Sequence, residues 1–228
     1  MGRGGLTGYG VVRGLCNLRG LILVAAVALA GGAVRAEPVT LAALGDSLTQ
    51  GYGLLPEEGF VPQLQAWLGA QGAEVTVVNA GVSGDTTAGG LSRVGWTLSG
   101  QVDAMIVALG GNDLLRGIDP AASRENLRGI LEAARGAGVA VLLVGMEAPS
   151  NFGPEYKAAF DAIYADLAAE FGVALYPAFF GALLGEGGLE AARARFLQAD
   201  GIHPNAAGVA RIVEDIGPAV LALIGGVR

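Results

Sequence analysis

Short apolar runs alternate along the chain with longer segments of helical periodicity, and this alternation limits the possible folds more than any other feature. The runs predict strands at residues 39–44, 74–79, 104–109, 139–145 and 173–176. The central runs are apolar throughout, which is typical of strands covered on both faces. We therefore predict an α/β protein with three layers, α/β/α, around a five-stranded parallel sheet.

Helical periodicity appears in the segments between these runs and after the last one. It predicts helices at residues 60–71, 122–135 and 155–171, and a long final helix that begins near Asn205. Asn is a favourable N-cap residue, and apolar side chains recur after it at helical spacing. Pro218 falls inside this last segment, where a proline can bend or interrupt a helix.

Four polar, glycine-containing segments stand out against this apolar background. They are GDSL at 45–48, NAGVSGDTT at 79–87, GGND at 110–113 and ADGIHPN at 199–205. The first three follow predicted strands, and the fourth precedes the last helix. Ligands of open α/β sheets bind at the carboxyl ends of the strands. We therefore expect the four segments to converge on one site.

His203 is the only histidine of the chain, and it follows Asp200 by three residues. An imidazole accepts a proton from a hydroxyl group near neutral pH, and a carboxylate can fix its tautomer. Taken alone, a single histidine is more often structural than functional, and a serine such as Ser47 is common in turns. Together they predict a triad in which Ser47 is the nucleophile, His203 the base and Asp200 the orienting carboxylate.

An acyl-transfer site also needs preorganised donors for the negative charge that develops on the substrate oxygen. The candidate donors are the backbone N–H groups of Ser47 and Gly84 and the side-chain amide of Asn112. Two nearby acids, Asp46 and Asp113, are interpreted as turn or helix-start residues that brace the loops.

GDSL, the Gly84 segment, GGND and DGIHP occur in the order of the four sequence blocks of the SGNH, or GDSL-type, hydrolases. Nearly all of residues 37–228 resembles the small periplasmic branch of this family, which includes thioesterase, lysophospholipase and arylesterase enzymes. The resemblance implies the flavodoxin-like SGNH-hydrolase fold. It assigns Ser47, Asp200 and His203 to the triad, and Ser47, Gly84 and Asn112 to the oxyanion hole.

The resemblance also implies that the loop after Asn112 helps to cover the acyl chain of a substrate. The side chains of this loop expected to contact substrate are Leu114, Leu115 and Ile118. Met146, Phe152 and Tyr156, which follow the fourth predicted strand, are further candidates, although ordinary core packing explains them equally well.

The first residues have the composition of a secretory signal peptide. Arg3, Arg13 and Arg19 precede an uncharged apolar run that begins at Leu21, and cleavage is expected after Ala36. The alternative is an uncleaved membrane anchor, but the run is shorter than the roughly 20 residues that a spanning helix needs. We expect residues 37–228 to form a single catalytic domain in the periplasm or outside the cell.

Composition excludes several classes of function. Residues 1–36 contain four of the 14 basic and none of the 21 acidic residues, so an acidic domain remains that does not favour nucleic acid or anionic lipid. The only cysteine, Cys16, lies in the leader, which leaves no disulfide or thiolate metal site. Phosphate-binding and metal-ligand motifs are absent from the sequence. We expect a monomer that needs no cofactor or metal.

These features predict an exported serine esterase that hydrolyses carboxylic esters and thioesters through an acyl-enzyme on Ser47. The expected partner is a small ester, thioester or lysophospholipid with an apolar part. One alternative is a carbohydrate O-acetylesterase that uses the same triad on a small acyl group. The other is a binding protein that keeps the fold without catalysis.

Overall fold

The computed structural model describes residues 1–2, 4–5, 38–184 and 188–227, and its strands and helices all belong to the unit Pro38–Arg228. The expected signal peptide falls almost entirely outside the described residues and stays a prediction. Within the described residues, no helix has both the length and the apolar character that crossing a membrane requires.

A single parallel sheet of five strands forms the centre of the protein, in the order β2-β1-β3-β4-β5. Its strands are β1 Val39–Gly45, β2 Val75–Gly81, β3 Ala104–Ala108, β4 Ala140–Val144 and β5 Ala174–Tyr176. The chain adds β2 on one side of β1 and β3 on the other, so the direction of winding reverses next to β1. A crevice forms at such a reversal, outside the carboxyl ends of the strands.

The described part of the chain also contains eight helices and three short 3₁₀ segments, which lie between the strands and after the last one. The helices are α1 Ser47–Gln50, α2 Phe60–Ala70, α3 Thr87–Leu98, α4 Gly111–Arg116, α5 Pro120–Gly136, α6 Pro154–Phe171, α7 Gly188–Phe196 and α8 Ala206–Gly225. Helices α2 and α8 pack together in one layer, and α3, α5 and α6 pack in the other. This arrangement confirms the predicted three-layer α/β fold.

The core lies on both faces of the sheet. Every residue of β3 is buried, and so are all residues of β1 except Thr40 and all residues of β4 except Ala140. Strand β2 lies at an edge and leaves Val78 exposed. The continuously apolar runs are therefore the strands with helices on both sides, because only those strands lack a face toward water.

Helix α8 continues past its proline. Asn205 caps it, with the side-chain oxygen accepting a hydrogen bond from the N–H of Gly208, and the helix runs through Pro218 to Gly225. The interruption that the sequence suggested does not occur. The buried side chains of Ile216 and Val220, on either side of the proline, anchor both halves of the helix in the core.

Candidate active site

Ser47 lies at the carboxyl edge of the sheet, in the turn between β1 and α1. Asp46 is the N-cap of α1, and its Oδ1 accepts the N–H of Leu48 at 3.0 Å. This cap places Ser47 at the first position of a helix, where N–H groups have no partner within the helix. Asp46 therefore braces the turn that presents the serine hydroxyl to the crevice.

The side chains of Ser47, His203 and Asp200 form a continuous chain of hydrogen bonds. His203 Nε2 lies 2.8 Å from Ser47 Oγ, and His203 Nδ1 lies 2.6 Å from Asp200 Oδ2. The structure thus brings together residues separated by 156 positions in the sequence. In this geometry the imidazole can take a proton from the hydroxyl while the carboxylate orients the ring.

A tight turn holds the aspartate and the histidine. The other oxygen of Asp200, Oδ1, accepts the backbone N–H groups of Ile202 at 2.9 Å and His203 at 3.0 Å. Partial burial alone would raise the pKa of Asp200, but these hydrogen bonds and the His203 ring outweigh it and lower the pKa to about 2. The carboxylate is therefore ionised at neutral pH, as an orienting group must be.

The ring of Tyr52 contacts the ring of His203, a contact that the sequence did not reveal. The ring centroids of Tyr52 and His203 are 4.8 Å apart. Gln198 Nε2 donates to the carbonyl oxygens of Tyr52 at 2.8 Å and Pro204 at 3.0 Å, which ties the loop after α1 to the histidine turn. No short motif indicates this link, because its residues are 146 positions apart.

Asn112 enters the site from α4, directly after β3. Its Nδ2 donates to Asp46 Oδ2 at 3.3 Å, next to the serine turn. The neighbouring Asp113 is fully buried and accepts hydrogen bonds from Thr87 Oγ1 at 2.6 Å and Ser123 Oγ at 2.8 Å. Asp113 thus fixes α4 to two helices, and through α4 it fixes the position of Asn112.

Gly84 lies in a turn between β2 and α3. The turn is closed by a hydrogen bond from the N–H of Asp85 to the carbonyl of Val82 at 3.1 Å. Gly84 has a φ of 83°, a conformation that other residues adopt only with strain. Its carbonyl accepts from Arg116 Nη2 at 2.8 Å, whereas its N–H has no acceptor within the described residues.

A cavity of about 640 Å³ opens beside the triad. Of the three side chains expected to contact substrate, Leu114 and Leu115 line this cavity and Ile118 does not. The carbonyl of Ile118 instead accepts the hydroxyl of Tyr156 at 2.9 Å, in the support of the loop. Within the described part of the chain, no three His, Cys, Asp or Glu side chains are grouped to hold a metal ion.

One wall of the cavity comes from the segment between β5 and α8, which the sequence pattern did not indicate. Its lining side chains include Phe179, Phe180, Leu183, Leu184, Ala192 and Leu197. The two adjacent phenylalanines shortly after the fifth strand are the sequence feature that could have indicated this wall. Met146 and Phe152, which follow β4, also line the cavity.

Comparison with known proteins agrees with this geometry. Residues 43–211 match the model of the GDSL-like Lipase/Acylhydrolase family. The chain is 40% identical to Esterase TesA of Pseudomonas aeruginosa over 208 residues, which is 91% of this chain and 100% of the relative. It is 39% identical to Thioesterase 1/protease 1/lysophospholipase L1 of Escherichia coli K12 over 168 residues, 73% of this chain and 76% of the relative.

Among solved structures, a crystal structure of TesA superposes with a TM-score of 0.73 at 39% identity, covering 81% of this chain and 99% of the other. The sheet, the order of the four polar segments and these similarities agree with one another. The chain belongs to the GDSL-like lipase/acylhydrolase family and is an ester-bond hydrolase with the SGNH-hydrolase fold.

Proposed function

We propose that the protein is exported to the periplasm and hydrolyses carboxylic esters and thioesters through an acyl-enzyme on Ser47. The observation that carries the proposal is the 2.8 Å contact between Ser47 Oγ and His203 Nε2. Export rests on the signal-peptide pattern of residues 1–36, and we expect the mature protein to act as a monomer.

The proposed reaction has two halves. His203 Nε2 takes the hydroxyl proton as Ser47 Oγ attacks the acyl carbon, and the same proton then goes to the departing alcohol or thiol. A water molecule gives a proton to His203 and attacks the acyl-serine, which releases the carboxylic acid and restores the serine hydroxyl. Asp200 stabilises the imidazolium that exists during both halves.

The oxyanion formed in each half is assigned to three donors: the N–H groups of Ser47 and Gly84 and the side-chain amide of Asn112. The free N–H of Gly84 and the position of Asn112 beside the serine turn support this assignment. Asn112→Ala should lower kcat by about 10² to 10³, the usual effect of losing one such donor. A change confined to KM would contradict the assignment.

The cavity supports a substrate with an apolar acyl or aryl group. Buried Phe179, Leu183 and Met146 supply apolar lining within reach of an acyl chain. The names of the relatives, an esterase and a thioesterase/lysophospholipase, fit both oxygen and sulfur leaving groups. A series of p-nitrophenyl esters from acetate to octanoate tests this point: preference for acetate would favour the O-acetylesterase alternative.

Labelling of the purified protein with a fluorophosphonate probe tests the nucleophile. We expect the probe on Ser47, with no labelling of Ser47→Ala and a loss of about 10⁴- to 10⁶-fold in kcat for Ser47→Ala or His203→Ala. A folded wild-type protein that resists the probe would support the binding-protein alternative.

Mass spectrometry of the secreted protein tests cleavage after Ala36.

A further inference from the structure

Arg93, on α3, donates three hydrogen bonds to three separate segments of the chain. Its Nε lies 2.6 Å from Asp85 Oδ2, its Nη1 2.7 Å from the carbonyl oxygen of Ala80, and its Nη2 2.8 Å from the carbonyl oxygen of Gly45. The side chain is 22% exposed. All three guanidinium nitrogens are therefore engaged in a partly buried position.

The three acceptors lie at the ends of β1 and β2 and in the turn that contains Gly84. Gly45 ends β1 and precedes Asp46 and Ser47, whereas Asp85 directly follows Gly84. Ala80 lies near the end of β2, beside β1 in the sheet. The guanidinium group thus joins the end of the strand that presents the serine to the turn that presents the Gly84 N–H.

The chemistry of arginine suits this task. Its planar group fixes the directions of its donors, and hydrogen bonds from a charged donor are roughly twice as strong as those between neutral groups. The Gly84 turn lies outside the strands and helices, so few other contacts locate it. These are the bond from Arg116 to the Gly84 carbonyl, the bond from the Val82 N–H to the Gly45 carbonyl at 3.0 Å, and the bond from Ser83 Oγ to Gln50 Oε1 at 3.1 Å. The bond from the Asp85 N–H to the Val82 carbonyl closes the turn itself.

We propose that Arg93 is a positioning residue that sets the distance and direction of the Gly84 N–H relative to Ser47 Oγ. The proposal rests on the proposed function, since it assumes that Gly84 donates to the oxyanion. Arg93 does not line the catalytic cavity, so it acts through Asp85 and Gly45 and not through contact with substrate.

The test compares Arg93→Ala, Arg93→Lys and the wild-type protein on one p-nitrophenyl ester. We expect Arg93→Ala to lower kcat by about 10- to 100-fold with little change in KM, because small misplacement of a catalytic group can cost about 10² in rate. Millimolar guanidinium should restore part of the kcat of Arg93→Ala. Arg93→Lys keeps the positive charge but replaces the three guanidinium nitrogens with a single nitrogen. Its kcat should lie between those of Arg93→Ala and the wild-type protein.

Arg128→Ala is the matched control. Arg128 is similarly exposed at 27% and pairs with Glu125 and Glu170, between α5 and α6. We expect its kcat to match the wild-type value. Thermal unfolding of each variant, followed by circular dichroism, separates loss of fold from loss of positioning. If Arg93→Ala does not fold, Arg93→Lys carries the test.

A double-mutant cycle with Asp85→Ala identifies the route of the effect. If Arg93 acts through the Gly84 turn, the double variant should lose little more kcat than the worse single variant. Additive losses, or a folded Arg93→Ala with kcat within twofold of wild type, would overturn the proposal. Labelling of Ser47 in the wild-type protein is unaffected by either result, so failure here is distinct from failure of the proposed function.

Discussion

Asp46 is a carboxyl group placed where ionisation is costly. It is 1% exposed, and burial raises its pKa from the ordinary 3.8 to about 6, although hydrogen bonds from Leu48 and Asn112 oppose the shift. Because the pKa is higher in the folded than in the unfolded protein, the folded state binds this proton more tightly. Burial of Asp46 therefore favours folding below pH 4, and that contribution is lost as the pH rises to about 6.

Comparison of the wild-type protein with Asp46→Asn should show this dependence. The free energy of unfolding of the wild type relative to the variant should fall by about 2 kcal/mol between pH 4 and pH 7. Urea denaturation across this range measures the change. A pH-independent difference for Asp46→Asn would contradict this expectation.

Asp200→Asn should behave in the opposite sense, since the pKa of Asp200 is lowered to about 2 and its contribution is lost only in stronger acid.

Thr49 is a second residue whose polar group is poorly accommodated. It is 1% exposed, and its Oγ1 has no hydrogen-bond partner within the described residues. Thr49→Val replaces the hydroxyl with a methyl group of similar size, and should raise the free energy of unfolding by about 1 kcal/mol.

The matched control is Thr87→Val, at a residue equally buried but fully bonded. Thr87 Oγ1 donates to Asp113 and accepts from Asn126. Loss of this hydroxyl in Thr87→Val leaves its two partners without one hydrogen bond each, and should lower the free energy of unfolding by about 1 to 3 kcal/mol. Chemical denaturation of both variants measures the pair, and destabilisation by Thr49→Val of the same size would show that its hydroxyl is solvated.

At the scale of elements, three short connections bring the site together. Helix α1 carries Ser47, α4 carries Asn112, and the turn before α3 carries Gly84. Each begins where a strand of the sheet ends, so the spacing of β1, β2 and β3 determines the spacing of the three proposed donors. Strands of one sheet lie about 4.8 Å apart, which leaves these groups within reach of one substrate carbonyl.

Helix α8 packs against α2, in the same layer, through a close approach at Gly217. A Cβ added at Gly217 would lie 2.7 Å from ring carbons of Trp67 on α2. Gly217→Ala should therefore lower the free energy of unfolding by about 1 to 3 kcal/mol, as overpacking does, despite the better helix propensity of alanine. Thermal or urea denaturation measures the change.

Gly95, inside α3, provides the comparison because an added Cβ there meets open space. Gly95→Ala should stabilise by about 0.5 to 1 kcal/mol, the usual helix-propensity gain. Stabilisation by both substitutions would mean that the ring of Trp67 moves aside at little cost.

At the scale of the whole molecule, we expect the net charge to lower kcat/KM for anionic substrates relative to neutral ones. Residues 37–228 contain ten basic and 21 acidic residues, so the field of the protein repels anions. Raising the ionic strength from about 10 to 150 mM shortens the screening length from about 30 to 8 Å. The kcat/KM for an anionic thioester such as acyl-CoA should rise about twofold or more, whereas that for a neutral p-nitrophenyl ester should stay constant. Equal responses would argue against a field effect.

Sequence reasoning reached the strands because their apolar runs are long and bounded by glycine. It missed α3 and α7. Helix α3 contains Gly89, Gly90 and Gly95, and its propensity is weak. The helix forms because Thr86 caps it and because Asp113 accepts the N–H of Thr87 at 2.9 Å. The cap is local, but Asp113 lies 26 positions away, and support of that kind leaves no local periodicity.

The sequence by itself determined the class of fold and the chemical types at the site, because burial pattern and functional groups are properties of the residues themselves. Only the tertiary structure decided which of those groups meet. The 2.8 Å contact of Ser47 with His203 and the bond from Arg93 to the Gly45 carbonyl join segments far apart along the chain, and the apolar wall from Phe179 to Leu197 meets the triad only in the folded protein. The physical reason is that direction and distance across a crevice depend on how strands and helices pack, which no single stretch of sequence specifies.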